Sequence, residues 1–463
     1  MSLLNRINLR ARKQFLESSV LFVNILRWTI LATIVGAIVG GSTAVFIFAL
    51  HSSIYFMQRI PYYFAVLPFG LWLSARITKT WAPFAAGHGT EKVIEAVHQK
   101  SGKMNPLDAP VKLVATVVTI AAGGSAGKEG PAAQIGATLA SVFADITKLS
   151  DNDRKKLVIC GISAGFSAIF GTPVAGALFG VEVLFLGQIL YEVLLPSFIA
   201  GITAYQVSSG LGATYFWNQI KWTPTFSEAL FFKIILSGVL FGLVSLLFIE
   251  SLRWGGRFFR RYDSVHHCKP ILGGMILLGF GLLGASDGLG LGINTLEKAL
   301  AGENIPGWLW LFKSAATGIT LGCGGSGGVI TPIFTVGAAF GSVWGKIIHL
   351  DPALCAALGM IAVLAGTTNT PIAASVMGLE LFGPSFGPFG ATVSVIAFLM
   401  TGYRSVYPSQ ILARAKSEVL VTQLNKPISA ETRISIEYTA RKRFAKYQRW
   451  INALYGWIRG KSS

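Results

Sequence analysis

The feature that most constrains this chain is that it repeats itself. GSAGKEGP (Gly124 to Pro131) returns as GSGGVITP (Gly325 to Pro332), 201 positions on (124 to 325). Upstream, GHGTEKVIEAV from Gly87 matches GLGINTLEKAL from Gly290. Downstream, TPVAGALFGVEVLF from Thr172 matches TPIAASVMGLELFG from Thr370. Three matches in the same order and at near-constant spacing mark two homologous halves. In an apolar chain, such halves place a pathway between them, near the bilayer midplane.

The apolar character is plain. Charged residues make up 13% of the chain, against about 25% in a soluble globular protein. They are also absent from Trp28 to Leu50, from Leu157 to Val181 and from Pro270 to Ser286. A helix needs about 20 apolar residues to cross the hydrocarbon. Some runs reach that length. Others are shorter and broken by Gly and Pro, which predicts re-entrant or interrupted helices covered by protein or water. The 53 glycines suit close helix contact. The expected fold class is an all-α polytopic membrane protein of two inverted-topology repeats with short, tilted and re-entrant helices.

The net charge of +18 raises the question of nucleic acid. Its placement answers it. Arg6, Arg10, Arg12 and Lys13 precede the first apolar run, and Arg253, Arg257, Arg260 and Arg261 lie between the halves. From Arg414 onward, basic residues outnumber acidic ones 11 to 3. The positive-inside rule puts all three groups on the cytoplasmic side. Both termini are then cytoplasmic, in an integral, multi-pass protein of the plasma or inner membrane that binds lipid and not nucleic acid. The start is basic but lacks a convincing cleavage site, so the first span is expected to remain.

The chain divides into a cytoplasmic N-terminal segment (1–19), a first membrane repeat (20–208), a second (231–410) and a basic cytoplasmic tail (415–463). Between the repeats, Trp217, Trp222 and Pro224 mark an interfacial loop. In the tail, RKRFAKYQRW from Arg441 has the make-up of an amphipathic surface helix. The cysteines, at 160, 268, 323 and 355, show no metal spacing, and three of them fall in apolar runs as packing residues. His266-His267-Cys268 is the one thiol–imidazole cluster. No metal or cofactor is expected.

The glycine–proline motifs predict anion sites. Gly127 and Gly130 allow close backbone approach, and Pro131 suits the first turn of a helix, where its missing N–H is no loss. Such a helix start exposes free N–H groups and a partial positive charge, which suits an anion. Gly327-Gly328-Val329-Ile330-Thr331-Pro332 has the same build. Two antiparallel halves would aim two helix starts at one point. Partial charges also let an anion leave again. A nucleotide loop is excluded: it needs GxxxxGK followed by Ser or Thr, and here Ala122 holds the first position and Glu129 follows Lys128.

Glu129 is the sharp residue. A carboxylate inside a membrane motif is expensive and usually functional. Ionised, it competes with an anion for the helix start; protonated, it lets go. It could serve as gate, as proton acceptor or as both, with a salt bridge to Lys128 as the plainer alternative.

These residues resemble the CLC chloride channel and chloride–proton antiporter family over about Val20 to Ala415. The complete GKEGP motif carries the resemblance, together with counterparts of the family's GxGIP and GxFxP motifs and a late tyrosine. The resemblance implies a homodimer with one anion pathway per subunit. It implies that Glu129 gates, that the amides of Val329 and Ile330 contact the anion, and that Tyr407 offers its hydroxyl, with Tyr403 as fallback. The full anion-binding set is then Gly87, His88, Gly89, Gly127, Lys128, Gly130, Val329, Ile330 and Tyr407. The regulatory nucleotide-binding modules that usually follow the membrane domain are not seen, so no adenine nucleotide is expected.

Departures from the family pattern carry information. His88 replaces a serine that usually coordinates the anion. It could donate a hydrogen bond, widen or close the site, add pH sensitivity, or turn away. Ile330 takes the phenylalanine position of GxFxP, and Tyr407 stands one residue out of the usual spacing. Exchangers commonly carry two consecutive glutamates where this chain has Glu182-Val183. Valine at this coupling position cannot carry a proton, which favours passive, channel-like chloride conductance over chloride–proton antiport. Glu182 is expected to be structural, since Glu380 is its counterpart. Fluoride is the lesser alternative to chloride as the expected substrate, because the resemblance implies that fluoride-selective relatives usually depart from the proline that Pro131 keeps; nitrate and bicarbonate are further alternatives. A non-conducting scaffold is the alternative of another class, and no Ser/His/Asp, metal or nucleotide set points to an enzyme.

Overall fold

The structure, a computed structural model, describes residues 3–215, 227–263, 268–417, 420–428 and 435–436. The Trp217, Trp222 and Pro224 loop, His266 and His267, and the segment from Arg441 lie outside the described residues. Sixteen α-helices among the described residues fall into two runs of eight. The first run is α1 (Leu3–Gln58), α2 (Leu67–Trp81), α3 (Thr90–Gln99), α4 (Asp108–Ala121), α5 (Glu129–Ile146), α6 (Asp151–Phe170), α7 (Pro173–Glu182) and α8 (Tyr191–Gly210). The second is α9 (Glu228–Arg260), α10 (Cys268–Phe280), α11 (Ile293–Leu300), α12 (Leu309–Gly322), α13 (Ile330–Ile347), α14 (Pro352–Thr368), α15 (Pro371–Phe382) and α16 (Gly387–Met400).

The repeat is visible in the punctuation of the helices. Pro131 and Pro332 both fall in the first turn of their helices, where a proline's missing N–H has no intrahelical partner to lose. Ser150 caps α6 by accepting the Asp153 N–H, and Asp351 caps α14 by accepting the Leu354 N–H. The same two helices end on left-handed residues, Gly171 and Asn369. Both α7 and α15 open on a Thr-Pro step.

Gln14–Gln58, Glu228–Arg260 and the run Cys268–Leu300 are long and apolar enough to cross a membrane. Others are not. The 10 residues of α7 reach about 15 Å, half the hydrocarbon thickness. Short helices are tolerated at that depth only when protein surrounds their ends, and here the two halves supply the cover to each other. The Glu182 carboxylate, at the end of α7, accepts the N–H groups of Ile372 (3.1 Å) and Ala373 (2.8 Å) at the start of α15. Glu380, near the end of α15, accepts those of Val174 (3.0 Å) and Ala175 (2.8 Å) at the start of α7. Each helix therefore runs head to tail against its counterpart, as inverted repeats require.

The core is built by helix pairs with glycine at the contact. A Cβ on Gly136 of α5 would stand 2.4 Å from the Gly161 carbonyl oxygen of α6, and one on Gly337 of α13 would stand 2.3 Å from that of Gly359 in α14. Backbones that close leave room only for small residues. Beyond α7, β1 (Phe185–Leu186) pairs in parallel with β2 (Ile411–Leu412), tying the first half to the chain that follows α16. A second small ribbon joins β3 (Leu420–Val421) to β4 (Ser435–Ile436).

Candidate anion-binding site

The two glycine motifs meet. The Gly127 N–H donates to the Gly328 carbonyl at 2.7 Å, and the Gly328 N–H donates back to Gly127 at 2.6 Å, as an antiparallel bridge. Hydroxyls from the opposite half hold the flanks: Ser125 N–H donates to Thr320 Oγ1 at 3.0 Å, and Ser326 N–H donates to Thr119 Oγ1 at 3.1 Å. Each contact has its mate 201 positions away (119 to 320, 125 to 326), so a local two-fold axis runs through the bridge. It brings together the starts of α5 and α13. The first N–H groups of both helices have no intrahelical acceptor and carry the positive ends of the helix dipoles.

Glu129 occupies one of these two starts. Although it belongs to α5, its fully buried carboxylate accepts the backbone N–H of Thr331 in α13 at 3.0 Å and also the Thr331 hydroxyl. A carboxylate therefore fills a place suited to an anion, at the start of α13 and beside the N–H groups of Val329 and Ile330. Gly127 makes this possible: a Cβ there would stand 2.6 Å from Glu129 Oε2 and 3.0 Å from the Thr331 nitrogen. A cavity of about 50 Å³, lined by Lys128, Glu129, Thr331, Phe334 and Leu296, adjoins the carboxylate. Ile293 lines this cavity and also a larger one, of about 440 Å³, bordered by His51, Asp287 and Asn294. The two spaces therefore lie on either side of Ile293.

On the other flank lies the first motif. Gly89 has φ +83°, and a Cβ on it would stand 2.3 Å from the Gly130 carbonyl oxygen, so the loop presses directly on the start of α5. The buried Lys112 ammonium holds this loop by donating to the carbonyls of Gly87 (2.5 Å) and Ala85 (3.1 Å). Lys313 repeats the arrangement on Gly290 (2.7 Å) and Gly288 (3.1 Å). The His88 and Tyr407 rings lie 5.8 Å apart. Tyr407 is fully buried, and its hydroxyl, His88 Nδ1 and Thr90 Oγ1 are buried atoms without a hydrogen-bond partner among the described residues. Thr90 is the polar side chain near the Tyr407 hydroxyl. Unsatisfied buried polar groups are costly. Three of them near two helix starts form a place for a small polar ligand, and two hydroxyls and an imidazole can all donate to an anion.

Of the residues singled out in sequence, Gly87, His88, Gly89, Gly127, Gly130, Val329, Ile330 and Tyr407 gather around the bridged loops, and Lys128 lines the small cavity. Tyr403 lies elsewhere, packed with Leu186, Leu412 and Ile428. Val183 is buried in the main apolar core, and its carbonyl accepts from Gln410 Nε2 at 2.8 Å. Sequence reasoning did not assign Thr331, Lys112, Lys313 or Gln410. The two lysines were within reach, because they stand at equivalent positions of the repeat. Thr331 and Gln410 act through contacts across the halves, and no local pattern announces those.

Paired inverted helix bundles whose helix starts meet at a buried glutamate define a polytopic membrane fold with a candidate small-anion site. Comparison with known proteins agrees. The family profile described as voltage gated chloride channel matches residues 69–402, and the chain belongs to that family. It is 32% identical over 420 residues to the chloride/fluoride channel protein of Pseudomonas syringae pv. tomato, covering 89% of this chain and 90% of that one. It is 29% identical over 310 residues to the voltage-gated ClC-type chloride channel ClcB of Escherichia coli, covering 64% of this chain and 72% of the relative. Among solved structures, a CLC-type fluoride/proton antiporter aligns with a TM-score of 0.80 at 28% identity, over 84% of this chain and 98% of that one. A slow cyanobacterial chloride/proton antiporter aligns with a TM-score of 0.71 over 81% of this chain; at 20% identity it shows the shared fold. The protein is an integral membrane protein of a family that transports anions.

Proposed function

We propose that this chain passes small halide ions across a membrane through a pathway that the Glu129 carboxylate closes. One observation carries the reading: Glu129 leaves its own helix to sit on the Thr331 N–H at the start of α13. A halide and a carboxylate compete for the same partial charges there. Protonation removes the carboxylate's negative charge, weakens its hold and frees the site. The halide is then held by the amides of Val329 and Ile330, the Tyr407 hydroxyl and the His88 ring. These are partial charges, weak enough to let it leave.

The names of similar proteins support chloride and fluoride together, which raises fluoride above the minor place that Pro131 gives it. Passive conductance is a second reading, favoured by Val183, whose buried apolar side chain passes no proton. A homodimer with both termini cytoplasmic completes the proposal; the basic residues at the ends of the chain and at the end of α9, which falls within the second repeat and not between the halves, support that orientation. The test is halide release from liposomes containing the purified protein, measured with chloride- and fluoride-selective electrodes. Release well above empty liposomes supports the reading, and its absence for both ions overturns it.

A further inference from the structure

We propose that Glu91 is a second proton-exchanging carboxylate, on the opposite side of the anion site from Glu129, and that it couples halide passage to protons. The inference rests on the Glu129-gated pathway and adds to it a route by which the proton leaves.

Glu91 opens α3, next to Thr90. Its Oε1 accepts the Ser409 N–H at 2.9 Å and the Ser409 hydroxyl at 2.5 Å. Its Oε2 is a buried atom with no hydrogen-bond partner among the described residues. The neighbouring Lys92 pairs with Glu95 instead, at 2.8 Å. A carboxylate oxygen buried without a partner or an ion pair is expensive, and taking up a proton relieves the cost. The protonated form turns an orphan acceptor into a donor.

What separates the two carboxylates is as telling. Tyr407 lies within electrostatic reach of both Glu91 and Glu129. The atoms around it, the Tyr407 hydroxyl, Thr90 Oγ1 and His88 Nδ1, are the same buried, unpartnered groups found at the anion site. A hydroxyl accepts a proton at its oxygen while giving up its own, and the His88 ring takes one on one nitrogen while releasing one from the other. The step balances simply: the O–H bond of the Glu129 acid breaks, an O–H bond forms on Glu91, and the hydroxyls, the imidazole or a bridging water hand the proton across. The charged and titratable groups around this path are Lys92 and Glu95 on α3, Tyr407 from the chain after α16, Glu129 from α5 and Lys112 from α4, which faces His88.

The elements that carry the two acids lead toward different ends of the molecule. At the far end of α3, His98 lies against the Leu184 carbonyl at 3.1 Å and near Lys155 of α6. This is the end where Arg27 of α1 meets Asp153 of α6. Lys128, beside Glu129, is instead a neighbour of His51. At about 1.5 Å per residue, His51 stands roughly 36 Å farther along α1 than Arg27. From Glu91, beside Tyr407, α3 thus leads toward the end near Arg27, whereas Lys128, next to Glu129, lies toward His51.

The experiment measures halide and proton movement together in liposomes of the full chain, for the wild type, Glu91→Gln, Glu91→Asp and Ser409→Ala. The wild type should move protons against halide at a fixed ratio. Glu91→Gln keeps an acceptor for Ser409 but cannot titrate; halide movement should continue while the proton-to-halide ratio falls by about tenfold or more. Glu91→Asp and Ser409→Ala keep an acid at position 91 and should keep coupling. A Glu91→Gln protein with the wild-type ratio overturns the proposal. So does a wild type that moves halide without protons, which leaves the gated pathway standing. Loss of coupling in Ser409→Ala equal to that in Glu91→Gln overturns it as well, by assigning Glu91 a purely structural task. A wild type that moves no halide overturns this proposal together with the pathway beneath it.

Discussion

Thr331 holds Glu129 across the boundary between the two repeats, with its backbone N–H at 3.0 Å and with its hydroxyl. The N–H is fixed by the helix, but the hydroxyl is a side chain and can be removed. Thr331→Val keeps the volume and the amide and deletes one hydrogen bond to a charged group, worth about 1.5–3 kcal/mol. The carboxylate should leave more readily, and halide release should rise at neutral pH by about tenfold or more. Electrode traces from reconstituted liposomes give the rate directly; an unchanged rate would separate the hydroxyl from the gate.

Gly127 makes the space for that carboxylate. Gly127→Ala puts a methyl group 2.6 Å from Glu129 Oε2. We expect the side chain to be displaced and the pH dependence of release to flatten, as it would in a variant lacking the acid. A Gly127→Ala protein with the wild-type pH profile would show that Glu129 does not rest where the structure puts it.

Glu182 and Glu380 cap each other's helices, and neither has a part in the proposed gate. Glu182→Ala strips two N–H groups at the start of α15 of their charged acceptor, a loss of several kcal/mol. A clear fall in thermal unfolding temperature in detergent is expected, with the proton-to-halide ratio of the remaining folded protein kept. A changed ratio at unaltered stability would make Glu182 a carrier of protons.

The two late tyrosines should behave differently. Tyr407→Phe removes the unpartnered hydroxyl near His88 and should weaken discrimination between chloride and larger anions such as nitrate. Tyr403→Phe alters a residue packed among Leu186, Leu412 and Ile428 and should leave selectivity alone. Competition flux measurements with the two anions would detect a reversal of these roles.

Much of this architecture could be read from the chain because duplication writes the same instruction twice. Gly89 and Gly292 both have positive φ, and Pro131 and Pro332 both fall in a first helical turn, so each motif vouches for the other. The local rules were enough to locate the starts of α5 and α13. They did not reveal that Glu129 of one half would rest on Thr331 of the other, because that contact depends on packing across 202 positions of sequence (129 to 331). Val183 shows the same limit from the other side. Its apolar side chain could be read from the sequence, whereas the unpartnered oxygen of Glu91 becomes visible only once Ser409 and Tyr407 are brought against α3.

The central claim is that the Glu129 carboxylate closes the halide path and opens it on protonation. Its most direct test is halide release from liposomes as a function of pH, with the wild type beside Glu129→Gln. The wild type should release halide faster as pH falls, because the neutral acid loses its charged hold on the start of α13. Glu129→Gln should lose the component of that pH dependence that the carboxylate supplies. A glutamine variant whose pH profile overlays the wild type would contradict the account.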